Sequence, residues 1–405
     1  MSRRWHLVGA FDRFNYGDLL FPHLVRGVLE QLGKAVEIHC WSTREADLSA
    51  HGGVPCGSLA ELEACAGPRD AVVLAGGELL AARWTGTIRA LTGEGWSLAW
   101  GLAARALGAT VTDALARRRL GGRRPQPWVL GPGDVGGAAV AYNAVGAQGV
   151  RGLPPALRRS LRERLEAARF LAVRDTQSRD ALAEWGLDAR LSPDPAALVA
   201  ELFPKEALLE RSSPEVRALL AELGDGFAVV QAGRFPSRGL LPALAGELRR
   251  LVRTTSLPLL LLPLGLAAGH EDPRPLAALA VELADLSPAP RPVPVTTIWD
   301  QAAVISRARL FAGTSLHGNL TAAAYAVPTV GFGARVAKLD AFLEHWLADR
   351  PSAAPGCTPV AKLGEEMNRA LEEPAAPRRD RARRLAAAGR EHARALVGAL
   401  GPPTP

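Results

Sequence analysis

Short, continuously apolar runs recur along this sequence, among them "AVVLA" at 71–75, "VAYNAV" at 140–145, "FLAVR" at 170–174, "FAVVQA" at 227–232 and "RLFAG" at 309–313. A strand with one face in water alternates apolar and polar residues, whereas a strand covered on both faces does not need to. Runs of this kind, separated by stretches of helical period, demand βαβ units and a mainly parallel sheet with helices on either side. In the first half the pattern predicts strands at 5–9, 36–41, 71–75, 128–131, 140–145, 170–174 and 190–192, with helices near 18–32, 58–66, 155–168 and 176–186. It restarts with strands at 227–232, 257–263, 309–313 and 329–332 and helices at 240–253, 274–285, 297–307 and 338–347. A chain of 405 residues is too long for one ordinary domain and comfortable for two. The expected architecture is therefore α/β, two Rossmann-like doubly wound domains facing a cleft. The first occupies 1–205, a polar linker 206–226, the second domain 227–375, and a C-terminal helix over 376–405 packs back on the molecule. The segment 288–294, "PAPRPVP", reads as a stiff polyproline-like loop.

Composition narrows the functional classes. Apolar residues at 48% and charged ones at 22% fit a soluble globular chain. The longest apolar run, "LPLLLLPLGLAAG" at 257–269, is too short to span a bilayer and carries two prolines, so it reads as a buried strand. The N-terminal "MSRRWHLVGAFDRF" lacks the apolar core of a signal peptide, and Cys40, Cys56, Cys65 and Cys357 form neither a metal-ligand pattern nor a disulfide framework. A reducing cytoplasm is expected. Net charge is +7, and 44 of the 48 basic residues are Arg, the exceptions being Lys34, Lys205, Lys338 and Lys362. The basic runs at 117–124 and 378–384 are not interleaved with aromatics, and no nucleic-acid-binding signature accompanies them, which disfavours nucleic acid. A small anionic ligand or an anionic membrane surface is compatible with the charge.

In doubly wound sheets ligands gather beyond the carboxyl ends of the strands, so the turns that follow strands are where chemistry belongs. Four of them stand out. The first, "GAFDRFNYGD" at 9–18, precedes an apolar-periodic helix: Asn15 lies in it, Gly17 permits close approach or an unusual backbone angle, and Asp18 can cap the helix. It is either an anion or hydroxyl site or a plain capped turn, and without a GxGxxG or Walker pattern it supports no nucleotide cofactor. The second is Gly76-Gly77-Glu78, which permits tight packing or substrate approach. The third, "VRDTQS" at 173–178, delivers Arg174 at a strand end, to fork onto a carboxylate or phosphate or to form a structural ion pair with Asp194. The fourth, "GTSLHG" at 313–318, offers Thr314 or Ser315 as a helix cap beside His317, a proton-moving group or a satisfied structural histidine. Lys338 opens a later helix in a chain that writes Arg almost everywhere.

Taken in order, "VGAFDRFNYGDLL", "VVLAGGELL", "AVRDTQSRDAL", "LSPDPAAL", "GTSLHGNLTAAAYAVPTVGF" and "AKLDAF" resemble the motifs of the polysaccharide pyruvyl transferase family, with Glu78 where a third glycine is common. The resemblance runs from residue 5 to about 347, and leaves 82–127 and the tail beyond 349 without counterparts. It implies a glycosyltransferase-B type of fold and transfer of the enolpyruvyl unit of phosphoenolpyruvate onto two hydroxyls of a sugar, giving a cyclic ketal. It also implies His317, Arg174 and Lys338 as catalytic residues, and Ser315, Gly318, Asn15, Gly17, Asp18, Gly76 and Gly77 in substrate binding. Neither a metal nor a cofactor is expected. The partners implied are phosphoenolpyruvate, a sugar or glycoconjugate acceptor and, if that acceptor is lipid-linked, a membrane surface. The rival functions are a nucleotide-sugar glycosyltransferase on the same architecture and a non-catalytic relative that binds a glycan or phosphorylated metabolite. Trp84, Trp96 and Trp100 fall in the unmatched region, either to stack an acceptor sugar or to pack a local core.

Overall fold

A computed structural model describes residues 4–233, 240–267, 272–333 and 337–401. By contacts the chain divides into two units, the first running to Pro195 and taking up the chain again from Ala388, the second holding most of 196–387.

The first unit is built on eight strands, β1 (Arg4–Val8), β2 (Glu37–Ser42), β3 (Ala46–Asp47), β4 (Pro55–Ser58), β5 (Ala71–Leu74), β6 (Ala139–Val145), β7 (Phe170–Val173) and β8 (Arg190–Leu191). They lie in the order β3-β4-β2-β1-β5-β6-β7-β8, parallel except for the β3–β4 pair. Val72, Val73 and Leu74 are wholly buried, as strands covered on both faces require. The chain winds outward from β1 to β2 and β4, then returns to set β5 on the other side of β1. This reversal makes the β1/β5 boundary a topological switch point, where the connections leave in opposite directions and open a crevice.

The second unit has β9 (Ala228–Gln231), β10 (Leu259–Leu261), β11 (Arg291–Pro292), β12 (Leu310–Gly313) and β13 (Thr329–Gly331), all parallel in the order β11-β10-β9-β12-β13. Its switch point is the β9/β12 boundary. The register Gly313↔Gly331 places the carboxyl ends of β12 and β13 side by side.

Four expectations need correction. Residues 128–131 are buried but form no strand, because the Tyr142 hydroxyl both receives the Leu130 N–H and donates to the Leu130 carbonyl, taking the place of a ladder. The segment read as a linker, 206–226, folds into helices Lys205–Arg211 and Pro214–Leu223 within the second unit. Its one proline, Pro214, sits at a helix start, where a missing N–H costs nothing. Within 288–294, Arg291 and Pro292 pair with β10 as an edge strand, where a sheet tolerates proline. The apolar run at 257–269 yields only the three-residue strand β10, and its last two residues lie outside the described ones. The C-terminal helix, Ala375–Ala399, forms as expected. In its last turns Glu391 pairs with Arg190 (2.6 Å), and the ring of His392, pulled down to about 4 by burial, hydrogen-bonds Asn143 Oδ1 (2.6 Å).

Candidate functional site

In the second unit the strand β12 ends at Gly313, and the chain turns through Thr314 into the helix Leu316–Ala324. Ser315 is the N-cap, extended at φ −83°, ψ 129°, and its Oγ accepts from Gly318 N at 3.3 Å. Of the two hydroxyls read as caps, Ser315 takes the role. Thr314 instead accepts the Gly233 amide on its Oγ1 at 3.0 Å. Capping leaves the remaining first-turn amides and the positive end of the helix dipole at the mouth of the turn, with half-buried His317 on the second helical residue.

The backbone of this turn is held from two directions. Gln231, buried at the end of β9, accepts the Ser315 amide on Oε1 at 2.8 Å, and its Nε2 donates to Asp272 Oδ2 at 2.9 Å. Asn319, fully buried, donates from Nδ2 to the carbonyls of Gly313 (3.0 Å) and Ser315 (2.8 Å) and accepts from Thr329 Oγ1 at 2.7 Å. Gly318 is required sterically, since a Cβ there would stand 2.4 Å from Phe311 and 2.7 Å from Leu264. The imidazole of His317 is therefore carried on backbone that three side chains fix. Gln231, Asp272 and Asn319 were not singled out from the sequence. Gln231 alone among them carried a signal, the one polar residue in "FAVVQA".

Asp272 Oδ2 also accepts the amides of Leu264 (2.7 Å) and Gly265 (3.2 Å), yet burial pushes its carboxyl up to about 6 against those donors. The sign of the linkage follows. An unfolded chain releases this proton near 3.8 and the folded chain near 6, so the contribution is fully present below about pH 4 and is lost as pH rises to about 6. Asp272→Asn removes the titration and keeps an oxygen for the three donors. Between pH 4 and 7 the variant's stability relative to the parent is expected to rise by up to about 3 kcal/mol in urea melts. A difference that does not move with pH would mean that the donors cancel the burial.

Lys338 is the second residue of helix Ala337–Trp346 and is half-buried, on the chain that leaves β13 beside β12.

In the first unit the Gly76-Gly77 turn has φ of +127° and +91°, values that favour glycine, and a Cβ on Gly76 would lie 2.7 Å from Phe21. Gly77 approaches Asp18, whose Oδ1 would be 3.5 Å from a Cβ there, so the first and second turns meet at the β1/β5 switch point. The helix starts two residues earlier than expected, at Tyr16. Asn15 is therefore the N-cap, its side chain making no capping bond, and Asp18 sits in the first turn near the positive end of the dipole. Gly17 is buried inside that helix and is not among the glycines of positive φ, so the unusual backbone angle expected of it is not seen.

Arg174 leaves the end of β7 and is 4% exposed along its side chain. Its Nη1 contacts Asp194 Oδ2 at 3.1 Å and its Nη2 contacts Glu78 Oε2 at 3.2 Å. Glu78 Oε1 receives the Gln148 amide at 3.0 Å, and Gly146 gives this pair room, a Cβ there being 2.0 Å from Glu78. Burial works against the guanidinium's charge, but Glu78 and Asp194 outweigh it and hold Arg174 above its ordinary value. Two carboxylates of the protein therefore already face this arginine's guanidinium. Trp84 and Trp100 pack a small core with Ile88 and Ala116, while Trp96 is exposed.

Two parallel doubly wound units, each with its glycine- or serine-marked turns at a switch point, define the class: a glycosyltransferase-B type of fold whose sites are built at strand ends. The family model for polysaccharide pyruvyl transferase matches residues 15–334, and the chain belongs to that family. Among solved structures the chain is similar to the UDP-N-acetylglucosamine 2-epimerase of Rickettsia bellii, at TM-score 0.56 and 11% identity over 99% of this chain and 97% of that one. It is also similar to the UDP-GlcNAc 2-epimerase of Methanocaldococcus jannaschii in complex with UDP-GlcNAc and UDP (TM-score 0.52, 13% identity, 93% and 94% covered). The trehalose 6-phosphate synthase of Burkholderia multivorans compares at TM-score 0.52 and 13% identity, with 99% and 96% covered. At these identities the likeness concerns the fold. No curated protein matches the chain. No helix among the described residues is long and apolar enough to cross a membrane.

Proposed function

We propose that this chain transfers the pyruvyl unit of phosphoenolpyruvate onto two hydroxyls of a sugar in a polysaccharide or glycoconjugate, forming a pyruvate ketal. The observation that carries this is the Thr314–Gly318 turn: a histidine on the first turn of a capped helix, at the switch point of a parallel sheet, in a chain of the pyruvyl transferase family. The donor has a carboxylate and a phosphate, and the positive helix end behind Ser315, the Gly318 backbone and Lys338 suit one or both. A proton delivered to the methylene carbon leaves an oxocarbenium-like centre at C2. A sugar hydroxyl adds there and gives up its proton, the C2–O bond to phosphate breaks, and the neighbouring hydroxyl closes the ring as its own proton leaves. The products are the ketal and inorganic phosphate. His317 is the proposed acid–base group.

On the first unit, Asn15, Gly17 and Asp18 with the Gly76-Gly77 turn are proposed to hold the acceptor, where Asp18 and the helix amides suit hydroxyls. The resemblance makes Arg174 catalytic. Its two carboxylate partners support a positioning role instead, in which it anchors Glu78 under the Gly76-Gly77 turn. The scheme calls for neither metal nor cofactor. Four free cysteines, with burial pushing the thiols of Cys40 and Cys56 up to about 12, suit a cytoplasmic protein whose thiols do no chemistry.

The competing function, a nucleotide-sugar transferase, is favoured by the fold shared with enzymes that bind UDP. Equilibrium dialysis separates the two. Labelled phosphoenolpyruvate is expected to bind, UDP is not, and Lys338→Ala weakens phosphoenolpyruvate binding by about ten- to a hundredfold, as removal of a charged hydrogen-bond donor does. Retention of UDP without phosphoenolpyruvate would overturn the proposal.

A further inference from the structure

Residues 84–119 form three helices, Trp84–Leu91, Glu94–Leu107 and Ala109–Arg119, that pack on one another. Trp84, Ile88 and Ala116 are buried among them, the Trp84 indole donates to the Arg124 carbonyl at 2.9 Å, and Asp113 Oδ1 receives the Thr85 amide at 2.9 Å. The module is thus a packed piece of the first unit. Its middle helix is unusual in that none of its residues is buried.

The face this helix turns to water is the apolar one. Trp96 is 71% exposed, Leu98 64% and Leu102 59%, and Leu107 lies on the same outward arc. Arg105 is the one charge there, at the arc's edge. Val111 and Leu115, one turn apart on the next helix, extend the exposed apolar surface, and that helix ends in Arg117, Arg118 and Arg119. Monomeric soluble chains rarely leave such a contiguous patch open without a use for it.

Charge selects the occupant. From 82 to 124 there are eight arginines against Glu94 and Asp113, so 8 − 2 gives +6 of the chain's +7. A second copy of this module would bring +6 against +6, which disfavours a self-complementary dimer through this face. A nucleic acid would meet leucines where it needs cations. An anionic bilayer surface satisfies both features: leucines and a tryptophan enter the headgroup–acyl boundary, and the flanking arginines meet acidic headgroups.

We propose that the helices 94–107 and 109–119 dock the protein peripherally on an anionic membrane, with Trp96, Leu98 and Leu102 inserted and Arg118 and Arg119 on the headgroups. Nothing in this depends on the identity of the donor. The test is co-sedimentation of the full chain, without phosphoenolpyruvate, with vesicles of phosphatidylcholine alone or mixed with phosphatidylglycerol. Binding to the mixed vesicles is expected, weakening as salt is raised. Leu98→Ser with Leu102→Ser lowers the affinity at least about a hundredfold through lost apolar burial. Arg118→Ser with Arg119→Ser lowers it roughly thirtyfold. Because these side chains are exposed, melting temperatures stay at the parent's value, which separates lost docking from lost folding. The proposal is overturned if the parent ignores the mixed vesicles, if the leucine pair binds as well as the parent, or if the parent is a dimer in sedimentation equilibrium that the leucine pair converts to monomer.

Discussion

His317→Ala lowers phosphate release from phosphoenolpyruvate by about 10²- to 10⁴-fold, the usual worth of a general acid–base group, and leaves phosphoenolpyruvate binding nearly intact. The separation of the two effects follows from how the turn is built. Ser315 caps the helix, Gln231 holds the Ser315 amide, and Asn319 ties Gly313 and Ser315 together, so the backbone keeps its shape without the imidazole. Phosphoenolpyruvate then still meets the helix end and Lys338 but has no group to move its proton. His317→Gln, which keeps a hydrogen-bonding side chain without a proton-transfer pKa, is expected to be as inactive as the alanine variant. Calorimetric binding beside a steady-state phosphate assay reads both quantities. Equal loss of binding and turnover would make His317 a ligand for the donor instead.

Arg174→Ala is expected to cost about 3–5 kcal/mol of folding stability, the typical penalty for stripping one partner from a buried ion pair. Asp194, with its side chain 1% exposed, would lose the guanidinium that faces it in a place where water cannot take over. Arg174→Lys restores little of this, because one ammonium does not bridge two carboxylates as a planar fork does. Glu78→Ala costs less, since the Glu78 side chain is 32% exposed and water replaces its contact. Urea titrations of the three variants rank them. A stable Arg174→Ala protein that has lost phosphoenolpyruvate affinity would return the arginine to the donor site, where the family resemblance puts it.

The alternation of strands and helices was legible because buried parallel strands have no polar face to hide. Val72–Leu74 and Phe311–Ala312 are wholly buried in the structure, as their composition predicts. What escaped were elements whose sequence lacks that mark. The strand β3 is two residues long, and "PCGS" of β4 has one buried residue, so neither presents an apolar run. Polarity and a proline made 206–226 look like a linker, although that residue, Pro214, follows the capping Ser213 at the start of a helix.

The candidate site divides in the same way. The Ser-Leu-His-Gly turn was visible because strand, cap, histidine and helix are contiguous. The residues that hold it were not, because Gln231 reaches Ser315 across 84 positions and Asp272 across 41. For Arg174 the sequence left a ligand role and an ion pair with Asp194 open; the structure has that ion pair and adds Glu78.

The most direct measurement is a two-donor turnover assay on the unmodified protein. Phosphoenolpyruvate or a UDP-hexose is offered with a panel of hexosides, with phosphate and UDP release followed alongside the mass of the glycan. Phosphate release that requires both phosphoenolpyruvate and a glycan, with the glycan gaining a pyruvate ketal, is the result expected of a histidine poised at the strand end of the second sheet. UDP release with sugar transfer, and phosphoenolpyruvate left intact under every acceptor, would contradict it.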